Sequence, residues 1–166
     1  MDYKFNNFYE LISYQAKKRG KKVALFVDDE KITYADILEA ADKLSAFLAQ
    51  KGVKKGDKVA FFLRNSPEFV YSIFAASKLG AIVVPINTFL KEDELTYILE
   101  DSGSTVLIAS AVHGKVVNSS KASSLCQFIL WEDEKSAQGE QHYSFDEALK
   151  TESSIEHTPS ALEDTA

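Results

Sequence analysis

Four short apolar runs recur along the chain, Lys58-Val59-Ala60-Phe61-Phe62-Leu63, Ala81-Ile82-Val83-Val84-Pro85-Ile86, Thr105-Val106-Leu107-Ile108-Ala109 and Gln127-Phe128-Ile129-Leu130-Trp131, with helix-patterned segments between them. Their lack of polar alternation predicts strands covered on both faces, as in a parallel sheet. Strands and helices alternating at this spacing imply right-handed β-α-β crossovers. The expected fold class is therefore α/β, a largely parallel sheet with helices on both faces. The stretch Ser77-Lys78-Leu79-Gly80 shows how one connection is made: a helix of small and apolar residues stops at Gly80, which without a Cβ enters the left-handed region past a helix end at no steric cost. Pro85 lacks an amide donor and predicts the end of its strand or an exposed sheet edge.

The helices carry their own punctuation. Asn6 or Asn7 caps a first helix with the apolar face Phe8, Leu11, Ile12 and Ala16, ending at Gly20. Val23-Ala24-Leu25-Phe26-Val27 and Lys31-Ile32-Thr33 flank a turn at Asp28-Asp29-Glu30 and read as an antiparallel hairpin. Thr33 with Asp36 predicts a capping box for a long helix whose buried face is Ile37, Leu38, Ala41, Leu44, Phe47 and Leu48, with Gly52 past its end. Ser66 caps the next helix, Pro67 takes the first position where its missing N–H is harmless, and Glu68 faces the positive dipole end. Phe69, Val70, Ile73 and Phe74 are its expected buried face. Leu95, Ile98 and Leu99 mark a further helix, and a weaker one runs from Val112 to Ser120.

Charge is distributed unevenly over the 166 residues. From Glu132 onward there are ten acidic residues against two lysines, whereas residues 1–131 carry 17 basic and 15 acidic residues. A near-neutral body lacks the basic footprint that nucleic-acid binding requires, so no nucleic-acid partner is expected. The basic cluster Lys17-Lys18-Arg19-Gly20-Lys21-Lys22 reads as a solvated helix end, its cations at the negative pole of the dipole. Residues 1–131 are expected to form the α/β unit. Residues 132–166 read as an acidic polar segment with one short helix, capped by Ser144 and Glu147 ahead of Ala148 and Leu149, then a flexible stretch from Thr151. The single cysteine, Cys126, excludes an internal disulfide framework and fits a cytoplasmic protein. No secretory signal is visible, and no apolar run approaches the ~18 residues of a membrane span.

Catalytic constellations are absent from the residue pattern. The seven glycines are scattered, and neither a dinucleotide fingerprint nor a phosphate-binding P-loop can be written from them. His113, His142 and His157 have no metal-ligand spacing to one another or to Cys126 and read as surface or loop residues. Cys126 reads as a small buried hydrophobe. The acidic Asp28-Asp29-Glu30 after an apolar run resembles the Mg²⁺ site of a phosphoacceptor receiver domain. No aspartate ends a later strand, however, and a hairpin turn is the better reading.

Several motifs in order carry a family resemblance. Ile32-Thr33-Tyr34-Ala35-Asp36-Ile37-Leu38 resembles the first core motif of the adenylate-forming (AMP-binding) superfamily. Gly52-Val53-Lys54-Lys55-Gly56-Asp57-Lys58-Val59-Ala60 is similar to its helix-to-strand connector, and Leu79-Gly80-Ala81-Ile82-Val83-Val84-Pro85-Ile86-Asn87 to its second core motif. Ile98-Leu99-Glu100-Asp101-Ser102-Gly103-Ser104 continues in register, and the likeness runs from about residue 5 to residue 131. Its flavour is that of long-chain fatty-acyl-CoA synthetases rather than peptide-synthetase adenylation domains.

The resemblance implies the N-terminal part of an AMP-forming acyl-CoA ligase, which converts a fatty acid, ATP and CoA into acyl-CoA, AMP and pyrophosphate through an acyl-adenylate. ATP, Mg²⁺ and CoA are then cofactors and substrates of a longer enzyme, not of these residues. In the family the phosphate loop follows a segment like Glu163-Asp164-Thr165-Ala166, so no catalytic, cofactor-binding or metal-binding residue is assigned, and the chain alone is expected to be inactive. Its expected partners are the remainder of its own chain and, through an exposed strand edge, a second copy. The longer enzyme is expected in the cytoplasm, with peripheral membrane association open to it. The alternative is a stand-alone, non-catalytic α/β protein-interaction module, which an edge-free, cooperatively unfolding monomer would favour.

Overall fold

The computed structural model describes residues 5–152. The chain opens with α1 (Phe8–Arg19), capped by Asn7, whose side chain accepts from the Glu10 amide. A hairpin of β1 (Val23–Val27) and β2 (Glu30–Thr33) follows, turning at Asp28, whose φ of +50° is tolerated because Asp visits the left-handed region more readily than most residues. Thr33 and Asp36 then form both halves of the capping box of α2 (Tyr34–Gln50). The hydroxyl and backbone amide of Thr33 both donate to the Asp36 carboxylate, and these bonds hold its pKa below the usual range.

From here strands and helices alternate as far as β6, which β7 follows with no helix between: β3 (Lys58–Phe62), α3 (Pro67–Leu79), β4 (Ile82–Pro85), α4 (Glu92–Ser102), β5 (Val106–Ala109), α5 (Gly114–Ser119), α6 (Ala122–Leu125), β6 (Phe128–Trp131), β7 (His142–Ser144) and α7 (Phe145–Ala148). The five strands β3–β7 form one sheet of order β4-β3-β5-β6-β7, parallel throughout. Because side chains alternate along a strand, the sheet divides its residues between two cores. Val59, Phe61, Val106, Ile108, Phe128 and Leu130 face α2, α3 and α7. Ala60, Phe62, Leu107, Ala109, Ile129 and Trp131 face α4, α5 and α6. The result is three layers, with helices on both faces as the apolar runs require.

Gly80 ends α3 at φ +67°, and the Ala81 amide reaches back 3.0 Å to the Ala76 carbonyl, which satisfies an orphan carbonyl of the last turn. A Cβ at this position would stand 3.0 Å from the Lys55 Cγ as well as in a strained backbone region. Gly80→Ala is therefore expected to cost about 1–2 kcal/mol of stability in urea titration, with Gly80→Asn less damaging.

Three features differ from the sequence reading. In α1 only Ile12 is fully buried, while Phe8 and Leu11 are 53% and 36% exposed, because the helix rests on α2 and α3 along a narrow line. In α3 the fully buried residues are Ser72, Ala75, Ala76, Ser77, Lys78 and Leu79. Phe69, Val70, Ile73 and Phe74 are only half-buried, since small side chains let this helix approach α2 and the sheet closely. The strand at 82–85 lies at the sheet's edge, one of the two places that Pro85 predicts. The Ile82 amide donates to the Asp57 carbonyl just before β3 and the Ile86 amide to the Phe61 carbonyl, so by the strand's period of two the Val83 and Pro85 amide positions face outward. Pro85 removes one outward donor, which blunts that edge.

The third difference concerns the acidic segment after Trp131. It supplies β7, which pairs in parallel with β6, and Phe145 and Ala148 complete the core beneath α2. The Ser144 side chain accepts from the Glu147 amide, capping α7 as expected. The stretch expected to be flexible lies outside the described residues beyond Glu152, as does His157.

Candidate functional site

In an open parallel sheet, ligand sites form where the connections leaving two neighbouring strands run in opposite directions. Here that position lies between β3 and β5. The chain leaves β3 toward β4 over the α3 face and leaves β5 toward β6 over the other. The residues just past the two strands are Leu63-Arg64-Asn65 and Ser110-Ala111-Val112-His113.

Short hydrogen bonds tie these ends together. The buried Ser110 donates its amide to the Phe62 carbonyl at 3.1 Å, and its Oγ accepts the Arg64 amide at 3.1 Å. The His113 amide donates to the Ser110 carbonyl at 3.0 Å, setting a single 3₁₀ turn over Ala111–His113. This turn lays the imidazole on the Phe62 ring, 4.9 Å between centroids, and leaves its buried Nε2 without a hydrogen-bond partner among the described residues. Burial, and secondly the Arg64 charge, pull the His113 pKa below its ordinary value, while Glu132 opposes them. Burial therefore disfavours the charged form of this ring, whose neutral form has one donor and one acceptor nitrogen.

The edge thus brings together the Arg64 backbone, the Ser110 hydroxyl and the His113 ring. Among the described residues, no three His, Cys, Asp or Glu side chains group to hold a metal ion. Nor does a glycine-rich turn precede α3 or α4, which begin behind Ser66 and Lys91. Asp28-Asp29 is the hairpin turn, not part of the sheet's carboxyl edge. Cys126 is buried in the α4–α6 core, its thiol pushed up to about 12 by burial alone. His142, read from sequence as a surface or loop residue, instead stands on β7 against Trp131. The pairing of Arg64 with Ser110 was not legible in the sequence, because 46 residues separate them.

A long-chain-fatty-acid–CoA ligase, FadD13 of Mycobacterium tuberculosis, is 42% identical over 94 residues, covering 57% of this chain and 19% of the ligase. A crotonobetaine/carnitine–CoA ligase of Escherichia coli is 36% identical over 97 residues, covering 55% and 19%. The crystal structure of the anthranilate CoA ligase AuaEII superimposes with a TM-score of 0.87 at 30% identity over 95% of this chain and 30% of that one. The chain thus spans about a fifth of the length of the curated relatives it matches. No helix among the described residues is long and apolar enough to cross a membrane. Residues 12–166 match the AMP-binding enzyme family, and the chain belongs to it.

Proposed function

We propose that this chain is the N-terminal scaffold of an AMP-forming acyl-CoA ligase acting on a fatty acid, in which ATP, Mg²⁺ and CoA are handled by residues outside those described. The observation that carries this reading is the 42% identity to a long-chain-fatty-acid–CoA ligase over 94 residues. The carnitine–CoA ligase likeness over a similar span shows why the substrate is a separate question. The motifs that carry the family resemblance, at 32–38, 52–60, 79–87 and 98–104, lie in caps, turns and core strands, which serve any member of the family. Activating a carboxylate with ATP needs a phosphate-cradling loop and cations against the developing charge, and the described residues supply no such loop.

Carboxylate-dependent ATP–pyrophosphate exchange tests the proposal. The 166-residue chain is expected to give no exchange above the blank with any acid, whereas a longer product of the same reading frame exchanges with fatty acids and not with aromatic acids. Exchange by the chain alone would overturn the scaffold role. Exchange by the longer product with aromatic acids only would overturn the fatty-acid assignment.

A further inference from the structure

Trp131 and His142 meet on the α4–α6 face of the sheet, one at the end of β6 and one at the start of β7. The indole Nε1 donates to His142 Nδ1 at 3.2 Å, and the ring centroids lie 6.0 Å apart. An indole can only donate, so Nδ1 must carry its lone pair and the proton of the neutral ring sits on Nε2. That Nε2 in turn lies 3.4 Å from the Ser123 hydroxyl at α6. The next residue of β7 is anchored on the opposite face: Tyr143 packs edge-on against Phe47 and Phe128 at 5.5 and 5.8 Å, with Lys51 Nζ 3.6 Å above its ring.

We propose that the Trp131–His142 bond is a pH-sensitive latch on the sheet's edge, closed while His142 is neutral and released when Nδ1 takes a proton from solvent. The imidazolium presents N–H at both ring nitrogens, so its Nδ1–H confronts the indole N–H and the bond is lost. A cleft of about 500 Å³, lined by Gly114, Asn118, Lys135, Ser136 and Gln138, gives water access to the pair. Lys135 is the charged group on that wall. α5 contributes Asn118, α6 Ser123 and β6 Trp131, none of which titrates near neutral pH. Release affects the start of β7, where the Ile129 amide donates to the Gln141 carbonyl at 2.9 Å, while the Tyr143 anchor persists.

Burial holds the His142 pKa below its ordinary 6.5. The folded latch thus binds the proton less readily than the open form. Its contribution is complete above pH 6.5 and is lost as pH falls through the folded-state value. Between those limits the open population rises by up to about tenfold per pH unit.

Trp131 is the chain's single tryptophan, so its emission reports the latch directly. From pH 7.5 to 5 the wild-type chain is expected to show one emission transition centred below pH 6.5. Ile129 amide exchange, corrected for intrinsic rate, should accelerate across the same range. His142→Asn, whose amide oxygen replaces the Nδ1 acceptor without titrating, should abolish both. An unchanged transition in His142→Asn would assign it to another group and overturn the proposal. Should that variant fail to fold, long-range ¹H–¹⁵N spectra of the wild type decide: a neutral ring protonated on Nδ1, or a His142 pKa of 6.5 or above, overturns it.

Discussion

Asp42→Ala is expected to lower the unfolding free energy by about 3 kcal/mol, the loss typical of breaking one side of a largely buried ion pair. Lys78, 4% exposed near the end of α3, places Nζ 2.8 Å from the Asp42 carboxylate on α2. The Tyr9 hydroxyl of α1 donates to the same oxygen at 2.9 Å, and the Lys78 ammonium lies 5.1 Å over the Tyr9 ring. Burial first, then the bond to Asp42 and its charge, push the Tyr9 pKa well above the usual tyrosine range. One carboxylate therefore serves groups from two neighbouring helices, and its removal leaves an ammonium in a site built around a negative charge. The loss is placed at the low end of the range for buried pairs because Asp42 keeps 24% side-chain exposure.

Urea unfolding at pH 7.5, read through Trp131, measures the effect. Adding Lys78→Met to Asp42→Ala should recover much of the loss, since an apolar pair of similar volume is often no worse than a buried ion pair. A loss below about 1 kcal/mol for Asp42→Ala would show that water screens the pair as it does surface bridges.

Nothing in the local sequence announces this triad, and the reason is general. A lysine in the last turn of a helix normally complements the dipole at the surface, and the partner of Lys78 lies 36 residues away. What was legible was local or periodic. Thr33 with Asp36, Ser66 with Pro67, and Gly80 encode their caps within four residues. The runs at 58–62, 106–109 and 128–131 encode buried strands because both faces are covered.

β7 was missed because three residues, His142-Tyr143-Ser144, form no apolar run, and their place depends on pairing with β6 and on Tyr143 filling the space beside Phe47. The buried side of α3 was misread for a related reason. The helix packs against α1 on one side and α2 on another, so apolar residues occur around much of its circumference and periodicity does not say which stripe lies deepest. At the carboxyl edge, the parallel topology was readable and the Arg64–Ser110–His113 arrangement was not, because it arises from three-dimensional neighbours on β3 and β5.

Phe61→Ala is the second large effect, with an expected loss of about 3–5 kcal/mol. Phe61 is fully buried in β3, the strand that pairs with both β4 and β5. Its ring meets Phe69 of α3 edge-on at 5.8 Å, so truncation removes buried apolar surface, an aromatic contact and the filling between sheet and helix together. Neighbouring strands are held by their own hydrogen bonds and collapse into the space only in part, so much of the cavity remains. Phe61→Leu, which keeps most of the volume, should lose distinctly less, and both variants should retain the wild-type denaturant slope if the sheet stays intact. A reduced slope in Phe61→Ala would mean that the edge strand β4 had already separated in the native state. Since Phe61 and Phe62 point to opposite layers, Phe61→Ala should leave the His113 imidazole on its Phe62 platform while weakening the strand beneath it. An unchanged His113 ring environment in NMR spectra beside a large stability loss would separate the scaffold's energetics from the geometry of the carboxyl edge.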